Sequence, residues 1–356
     1  MFAKPEPTVI HVEASTAYNV HIGEGLRHDC GRLLAELHPA CKVAIITDSN
    51  VAPLYLGDVA SSLESAGFES VSYVFPAGEA SKNLTTLGQI LEFLAEEHLT
   101  RTDLVLALGG GVTGDMAGFA AATFLRGIPY VQMPTTLLAA VDSSVGGKTA
   151  VDLTAGKNLA GAFKQPLAVF CDIETLNTLP DDVFDDGMAE CIKYGVLQSP
   201  ELLDICGGED PKAQVRDIIA ESVRIKAAYV LQDEFDTGLR RYLNLGHTMG
   251  HAIEQLSNYT IMHGHAVAIG MVLIAKAGEE LRITEPATAE KLQIILEKNH
   301  LPTTTAFTAA QLADVALSDK KRTGKTIALI IPECLGKCMT YDTPVEKLED
   351  IFALGL

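Results

Sequence analysis

Two histidines four residues apart stand in "LNLGHTMGHAIEQL" (243–256), and two more follow in "MHGHAV" (262–267). Four of the chain's ten histidines thus fall between His247 and His265. On a helix, His247 and His251 share one face with side chains roughly 6 Å apart, a spacing that can chelate zinc. The alternatives are one ligand beside a hydrogen-bonded neighbour, or no ligand at all. A zinc protease would carry Glu directly after the first histidine; Thr248 stands there, so that chemistry is excluded. An acidic ligand must then come from elsewhere. Glu190 in "MAECIKYG" lies in an apolar helical stretch, where an unpaired carboxylate is costly. Lys193 follows one turn later, so a plain helical ion pair is the competing reading. His263 and His265 are two apart; on a helix they point about 200° away from each other and cannot both face one metal.

A second kind of chemistry is suggested by glycine. "ALGGGVTGDMAGFAA" (107–121) reads as a strand that passes through three glycines into a helix. Such a turn lets backbone N–H groups and a helix N-terminus approach a diphosphate, although it also occurs with no ligand. The GxGxxG spacing is absent. Asp48, in "TDSN" at the end of an earlier strand, can take a ribose hydroxyl or can simply make a turn. "PTTLLAAVDSSVGGKTAVDLTAGKN" (134–158) holds two Gly-Lys pairs, at Lys148 and Lys157, with hydroxyls at Thr135, Thr136, Ser143 and Ser144. Lysines beside glycine can reach an anion or can remain solvated. The spacing before Lys148 is wrong for a P-loop, which excludes that class of ATPase.

Positioning these groups requires two kinds of scaffold. "KVAIITDSN" (42–50), "DLVLALGGG" (103–111), "GIPYVQMPTT" (127–136) and "PLAVFCDIETL" (166–176) read as buried strands. "NLTTLGQILEFLAEEHL" (83–99) reads as a helix with Leu84, Leu87, Leu91 and Leu94 on one face. This alternation predicts an α/β domain with a mostly parallel sheet. After about residue 185 the apolar spacing becomes helical, with one possible hairpin at "KRTGKTIALIIP". Pro, Asp and Gly cluster at "LPDDVFDDG" (179–187), placing the expected boundary between domains 1–185 and 186–356.

Composition narrows the function. A chain of 356 residues, 47% apolar, can bury a sizeable core. Its net charge of −19 argues against nucleic acid or an anionic membrane as partner, and requires a locally basic pocket for any anionic substrate. Seven scattered cysteines with no CxxC fit a reducing cytoplasm. The N-terminus has no apolar signal-like run, and "GVTGDMAGFAAATFL" is interrupted by Asp115, so no membrane span is expected.

Taken together, "GGGVTGDMAGFAAATFLRG", "MPTTLLAAVDSSVGGKTAVD", "GKNLAGAFKQP", "ETLNTLP", "AECIKYG", "GLRRYLNLGHTMGHAIE", "HGHAVAIGM" and "DKKRTGK" resemble the 3-dehydroquinate synthases of the sugar-phosphate cyclase family. The resemblance spans roughly residues 42–335. It implies an N-terminal nucleotide-binding α/β domain and an all-α C-terminal domain, one NAD, one divalent metal (zinc or cobalt), and a homodimer. It implies conversion of 3-deoxy-D-arabino-heptulosonate 7-phosphate to 3-dehydroquinate on the shikimate pathway, which leads to chorismate and the aromatic amino acids. Carried over by position, the implied metal ligands are Glu190, His247 and His263, with His251 as a proton-transfer partner. The implied NAD positions are Asp48, Glu79, Lys82, Gly111, Val112, Thr113, Gly114, Asp115, Thr135, Thr136, Lys148, Lys157, Thr175 and Thr178. The implied substrate and catalytic positions are Arg126, Asp142, Lys148, Asn158, Lys193, Lys226, Arg240, Asn244 and one of Lys320 and Lys321. One position departs: the family usually reads HGE where this chain reads HGH, with His265 for Glu. Sister cyclases of the valiolone or deoxy-inosose type, and a metal-dependent polyol dehydrogenase, are the alternative enzymes. An NAD- and metal-binding sensor without catalysis is the non-enzyme alternative.

Overall fold

The computed structural model describes residues 6–320 and 325–356. It forms two compact units: Met1–Leu179 with Lys226–Phe235, and Pro180–Ile225 with Asp236–Leu356.

The first unit is built on a seven-stranded sheet. Its strands are β1 (Thr8–Val12), β2 (Tyr18–Gly23), β3 (Lys42–Asp48), β4 (Glu69–Phe75), β5 (Leu104–Gly109), β6 (Tyr130–Pro134) and β9 (Ala168–Asp172). Their order is β1-β2-β9-β6-β5-β3-β4. Only β1 and β2 run antiparallel; every other neighbour pair is parallel. Two more strands, β7 (Lys148–Leu153) and β8 (Gly156–Phe163), form a separate two-stranded ladder, and Asp152 of β7 also makes an isolated parallel bridge to Asn83.

Parallel strands covered on both faces need apolar side chains in both directions, and β3 and β5 supply them. Val43, Ile45, Leu104, Leu106 and Leu108 join one core with helices α1 (Cys30–Ala35) and α2 (Gly57–Ser65). Ala44, Ile46, Val105 and Ala107 join the other core with α3 (Leu84–Glu96) and α4 (Gly111–Thr123). Asn83 starts α3 cleanly: its Oδ1 accepts from the N–H groups of Thr85 and Thr86, at 2.9 and 3.0 Å. From β3 the chain steps to β4 on one side and then to β5 on the other. The crevice at the carboxyl ends of β3 and β5 is therefore a topological switch point, where such sheets bind ligands.

The second unit is mainly helical: α5 (Asp181–Gln198), α6 (Pro200–Cys206), much of α7 (Val215–Gln232), α8 (His247–Leu256), α9 (His263–Glu280), α10 (Thr288–Lys298), α11 (Ala309–Lys320) and α12 (Leu348–Gly355). It also holds one hairpin, β10 (Thr326–Cys334) with β11 (Lys337–Pro344). The hairpin's first strand overlaps the segment expected to contain the whole hairpin and runs past its end, and the turn lies further on, at residues 335–336. Helices α5 and α9 are buried on nearly every side, which is why their apolar spacing is not a narrow stripe. No helix among the described residues is long and apolar enough to cross a membrane.

Candidate active site

Glu190 lies in the middle of α5 and is fully buried. Its Oε2 is ion-paired with Lys193, which is equally inaccessible. Its Oε1 lies 3.7 Å from His247 Nε2 and 3.7 Å from His263 Nε2. That separation is too long for a hydrogen bond and suits donors arranged around a common ion, each about 2.0–2.2 Å from its centre.

The two imidazoles are turned to serve that point. His247 Nδ1 donates to the carbonyl of Leu245 at 3.0 Å, and His263 Nδ1 donates to Glu254 Oε2 at 3.2 Å. Both partners are acceptors, so each Nδ1 carries a proton and each Nε2 is the nitrogen turned towards Glu190. Tight helix packing sets the spacing. A Cβ on Gly270 of α9 would lie 2.1 Å from the carbonyl oxygen of Gly246, which precedes α8. A Cβ on Gly264 would lie 1.9 Å from the carbonyl oxygen of Asp186 on α5. Glycine at these two places lets three helices close around one point.

The electrostatics favour a cation there. Burial opposes charge on His263, yet the carboxylates of Glu190 and Glu254 outweigh it and hold its pKa at about 10. His247 goes the other way: burial, reinforced by Lys193, drives its pKa well below the ordinary value. The anionic pocket thus supports one positive charge, which His263 carries as a proton that a metal cation at the same place would displace, and it keeps His247 neutral. Glu190, His247 and His263 offer donor atoms within 4.8 Å of one another. A second group, His251, Glu254 and His263, meets the same distance. Glu254 faces the Nδ1 side of His263, whose proton it accepts, so the first group keeps both the hydrogen bond and the Nε2 donor.

His251 stands beside the first group rather than in it. Its ring centroid is 5.3 Å from that of His247 and 5.9 Å from that of His263, and the residue is exposed. With Asn244, His247 and Thr248 it borders a cavity of about 190 Å³, closed by Ala252, Gln255, Val315 and Ala316. Arg240 is buried in the turn that leads to Asn244. His265 turns away: its backbone N–H and its Nδ1 both reach Asp186 Oδ1, each at 3.0 Å. Lys321 and the side chain of Lys320 lie outside the described residues.

In the first unit, the switch-point crevice gathers many of the expected nucleotide positions. Gly110 precedes α4 and no side chain caps it, so the amides of the first turn, including Gly111, Val112 and Thr113, are presented at a helix N-terminus. Asp48 Oδ1 accepts from the N–H groups of Asn50 and Val51, and Thr113 Oγ1 donates to Asp48 Oδ2 at 3.3 Å. Asp48 is thus a turn residue held at the crevice. The Thr135 hydroxyl is buried with no hydrogen-bond partner among the described residues, and Thr136 packs against Gly110. An orphaned donor beside an uncapped helix fits a diphosphate. Lys82 Nζ donates to Asp115 Oδ2 at 2.6 Å and to Asn158 Oδ1 at 2.5 Å. Burial pushes the Asp115 carboxyl up to about 6, with Lys82 restraining the rise. Lys157 Nζ lies 3.6 Å from Glu79 Oε1, and Lys226 Nζ donates to Asp142 Oδ1 at 2.7 Å. Lys148 begins β7, exposed, and Arg126 ends a short turn at φ 69°. Thr175 and Thr178 lie apart from these, around the hydroxyl of Tyr55.

Two contributing carboxylates were not singled out from sequence. Glu254 sits at i+7 from His247 and i+3 from His251, on the same face of α8, and that spacing was a usable signal. Asp186 had no such signal, because its partner His265 lies on another helix.

Comparison with known proteins gives a consistent picture. The family model described as 3-dehydroquinate synthase N-terminal matches residues 72–186, and that described as 3-dehydroquinate synthase C-terminal matches residues 187–322. A 3-dehydroquinate synthase of Streptococcus suis is 45% identical over 341 residues, covering 94% of this chain and 96% of that protein. Among solved structures, a 2-deoxy-scyllo-inosose synthase complexed with carbaglucose-6-phosphate, NAD+ and Co2+ superposes with a TM-score of 0.87 at 25% identity, covering 98% of this chain and 100% of that one. A 2-epi-5-epi-valiolone synthase from Streptomyces hygroscopicus with NAD+ and Zn2+ bound gives 0.86 at 25% identity, covering 97% and 98%.

Proposed function

This chain belongs to the 3-dehydroquinate synthase family, and from that premise we propose the residue roles set out below. The protein is an enzyme, an NAD- and metal-dependent carbon–oxygen lyase that converts 3-deoxy-D-arabino-heptulosonate 7-phosphate to 3-dehydroquinate and phosphate. The conversion runs through transient oxidation, phosphate elimination, reduction and intramolecular aldol closure. When bound, NAD supplies a reversible hydride acceptor and the divalent metal polarises the substrate alcohol.

Glu190, His247 and His263 hold the metal, zinc or cobalt. The observation that carries this assignment is the pair of Nε2 atoms turned onto one buried carboxylate. His251 stands at the cavity beside them and moves a proton at the substrate oxygen. Lys193 pairs with Glu190 in an otherwise apolar helix and offers its charge to the substrate. Arg240 and Asn244 bind the carboxylate end. Arg126, Lys148 and Lys226 balance the phosphate, which a chain of charge −19 would otherwise repel, and Asn158 hydrogen-bonds the substrate. Asp142 orients Lys226. The free amides of Gly111, Val112 and Thr113 hold the NAD diphosphate, with Gly114 and Asp115 beside them, Asp48 on a ribose, Glu79, Lys82, Thr135, Thr136 and Lys157 around it, and Thr175 and Thr178 further off along the cofactor. The domains act as 1–185 for NAD and 186–356 for metal and substrate. The enzyme works in the cytoplasm as a homodimer, on the shikimate route to aromatic amino acids.

A lyase that borrows and returns one hydride consumes no net NAD. Supplied with the heptulosonate phosphate, NAD and metal, the protein is expected to release phosphate with no accumulating NADH absorbance. Stoichiometric NADH would instead make it a polyol dehydrogenase.

A further inference from the structure

Helix α9 begins at the candidate metal centre, since its first residue is His263. The first amides of any helix have no partner inside it. In α9 the amide of Ala266 closes the first turn, donating to the carbonyl of Met262 at 3.0 Å. Met262 stands at the capping position with extended backbone, and its side chain makes no capping hydrogen bond. A polar side chain there would ordinarily take an amide two or three residues on. The amide of His265, three residues on, goes instead to another helix: it donates to Asp186 Oδ1 of α5 at 3.0 Å. The His265 imidazole donates through Nδ1 to the same oxygen, also at 3.0 Å. Asp186 meets this turn a second time with its main chain, where a Cβ on Gly264 would lie 1.9 Å from the Asp186 carbonyl oxygen. Asp186 is only 7% exposed, so solvent does little to weaken these bonds. It also lies four residues before Glu190, on the same face of α5.

We infer that Asp186 is a positioning residue for the metal: it caps α9 from α5 and so fixes the main chain of His263 relative to Glu190. The inference rests on the assignment of Glu190, His247 and His263 as ligands and adds what keeps the third in place. Glu254, on α8, orients the His263 ring, but that bond does not hold the main chain that carries it. Without the cap, the first turn of α9 loses its polar tie to α5 and frays, as helix ends do. His263 moves with it, because it is the first residue of the helix, and the 3.7 Å spacing between its Nε2 and Glu190 Oε1 is lost. The two bonds to Asp186 are not equivalent. The amide bond acts on the helix, whereas the imidazole bond aims the carboxylate. Removing the imidazole therefore leaves the cap in place, and removing the carboxylate does not.

The test titrates Co2+ into the metal-free full chain and follows its visible absorption bands, which respond to the arrangement of the ligands. Asp186→Ala should bind Co2+ roughly 10–100-fold more weakly, with shifted bands and unchanged circular dichroism. Asp186→Asn keeps an acceptor oxygen and His265→Ala keeps the amide, so each should bind as the unaltered protein does. Adding Met262→Asp to Asp186→Ala supplies an acceptor at the capping position of α9 itself, and should restore both affinity and bands. Unaltered affinity and bands in Asp186→Ala overturn the inference, as does a His265→Ala variant as weak as Asp186→Ala. Where Asp186→Ala does not fold, the double variant decides: it supports the cap if it folds and binds Co2+ as the unaltered protein does, and overturns it otherwise. His263→Ala separates the two readings. If it binds Co2+ as the unaltered protein does, the ligand assignment fails and this inference with it; if it loses Co2+ while Asp186→Ala does not, only the role of Asp186 fails.

Discussion

In the roles proposed for them, the centre around Glu190 and the crevice around Gly111 meet the same problem, holding a charged guest, in opposite ways. The first uses side chains alone. Three helices bring one carboxylate and two imidazoles together, each locked by a further hydrogen bond or ion pair. The second relies on main-chain amides at a helix N-terminus, surrounded by lysines already paired with Asp115, Glu79 and Asp142. A side-chain site depends on the identity of each residue, whereas a backbone site depends on the shape of a turn. Single substitutions should therefore be drastic in the first region and graded in the second.

The largest effect is expected at Glu190. Glu190→Gln should abolish metal binding and turnover while leaving the fold intact, as read by metal content and circular dichroism. Glu190→Ala should in addition strand the buried Lys193, at a cost of about 3–5 kcal/mol in thermal unfolding. If Glu190→Gln binds metal as the unaltered protein does, the carboxylate is only a partner for Lys193. Next come the histidines. His247→Ala and His263→Ala should lose metal; His251→Ala and His265→Ala should retain it, with His251→Ala slower by roughly 10²–10⁴-fold. Equal metal loss at 247 and 251 would mean that the α8 pair chelates together. Glu254→Gln should be milder, weakening metal affinity by roughly 10–100-fold through a loosened His263. An unchanged affinity would reduce the Glu254 bond to packing.

The smallest effect belongs to the crevice and is a pH dependence. Asp115 titrates at about 6 in the folded chain against an ordinary value of 3.8. Between those values the folded state binds more protons than the unfolded one, so stability falls as pH rises through that window. Asp115→Asn should flatten the fall; parallel stability–pH curves for the two proteins would show that Asp115 titrates normally.

The same contrast explains what could be read in advance. Buried parallel strands are continuous apolar runs, and β3, β5, β6 and β9 stand out as such. Strand β4 sits at the sheet edge with an alternating, partly polar pattern, and "ESVSYVF" gives no comparable run. The segment 148–163 advertises lysines and glycines, which hides the β7–β8 pair behind its apparent chemistry. At the helical centre, the histidine spacing announces a site, and the family resemblance supplies the choice among the histidines. Neither announces Asp186, because its contact with His265 depends on how α5 meets α9, a matter of packing rather than local pattern.

Gly270 and Gly264 were introduced as spacers, but they also say when a metal must arrive. Small zinc domains lack a core of their own and are unfolded without their ion. Here the helices that carry the ligands are seated backbone against backbone and buried in apolar side chains, so their register owes nothing to a metal. The ion is a late arrival to a finished cradle, and a chelator should strip it without melting the helices. Loss and reloading are then expected to be reversible events in one folded molecule, with circular dichroism unchanged through the cycle.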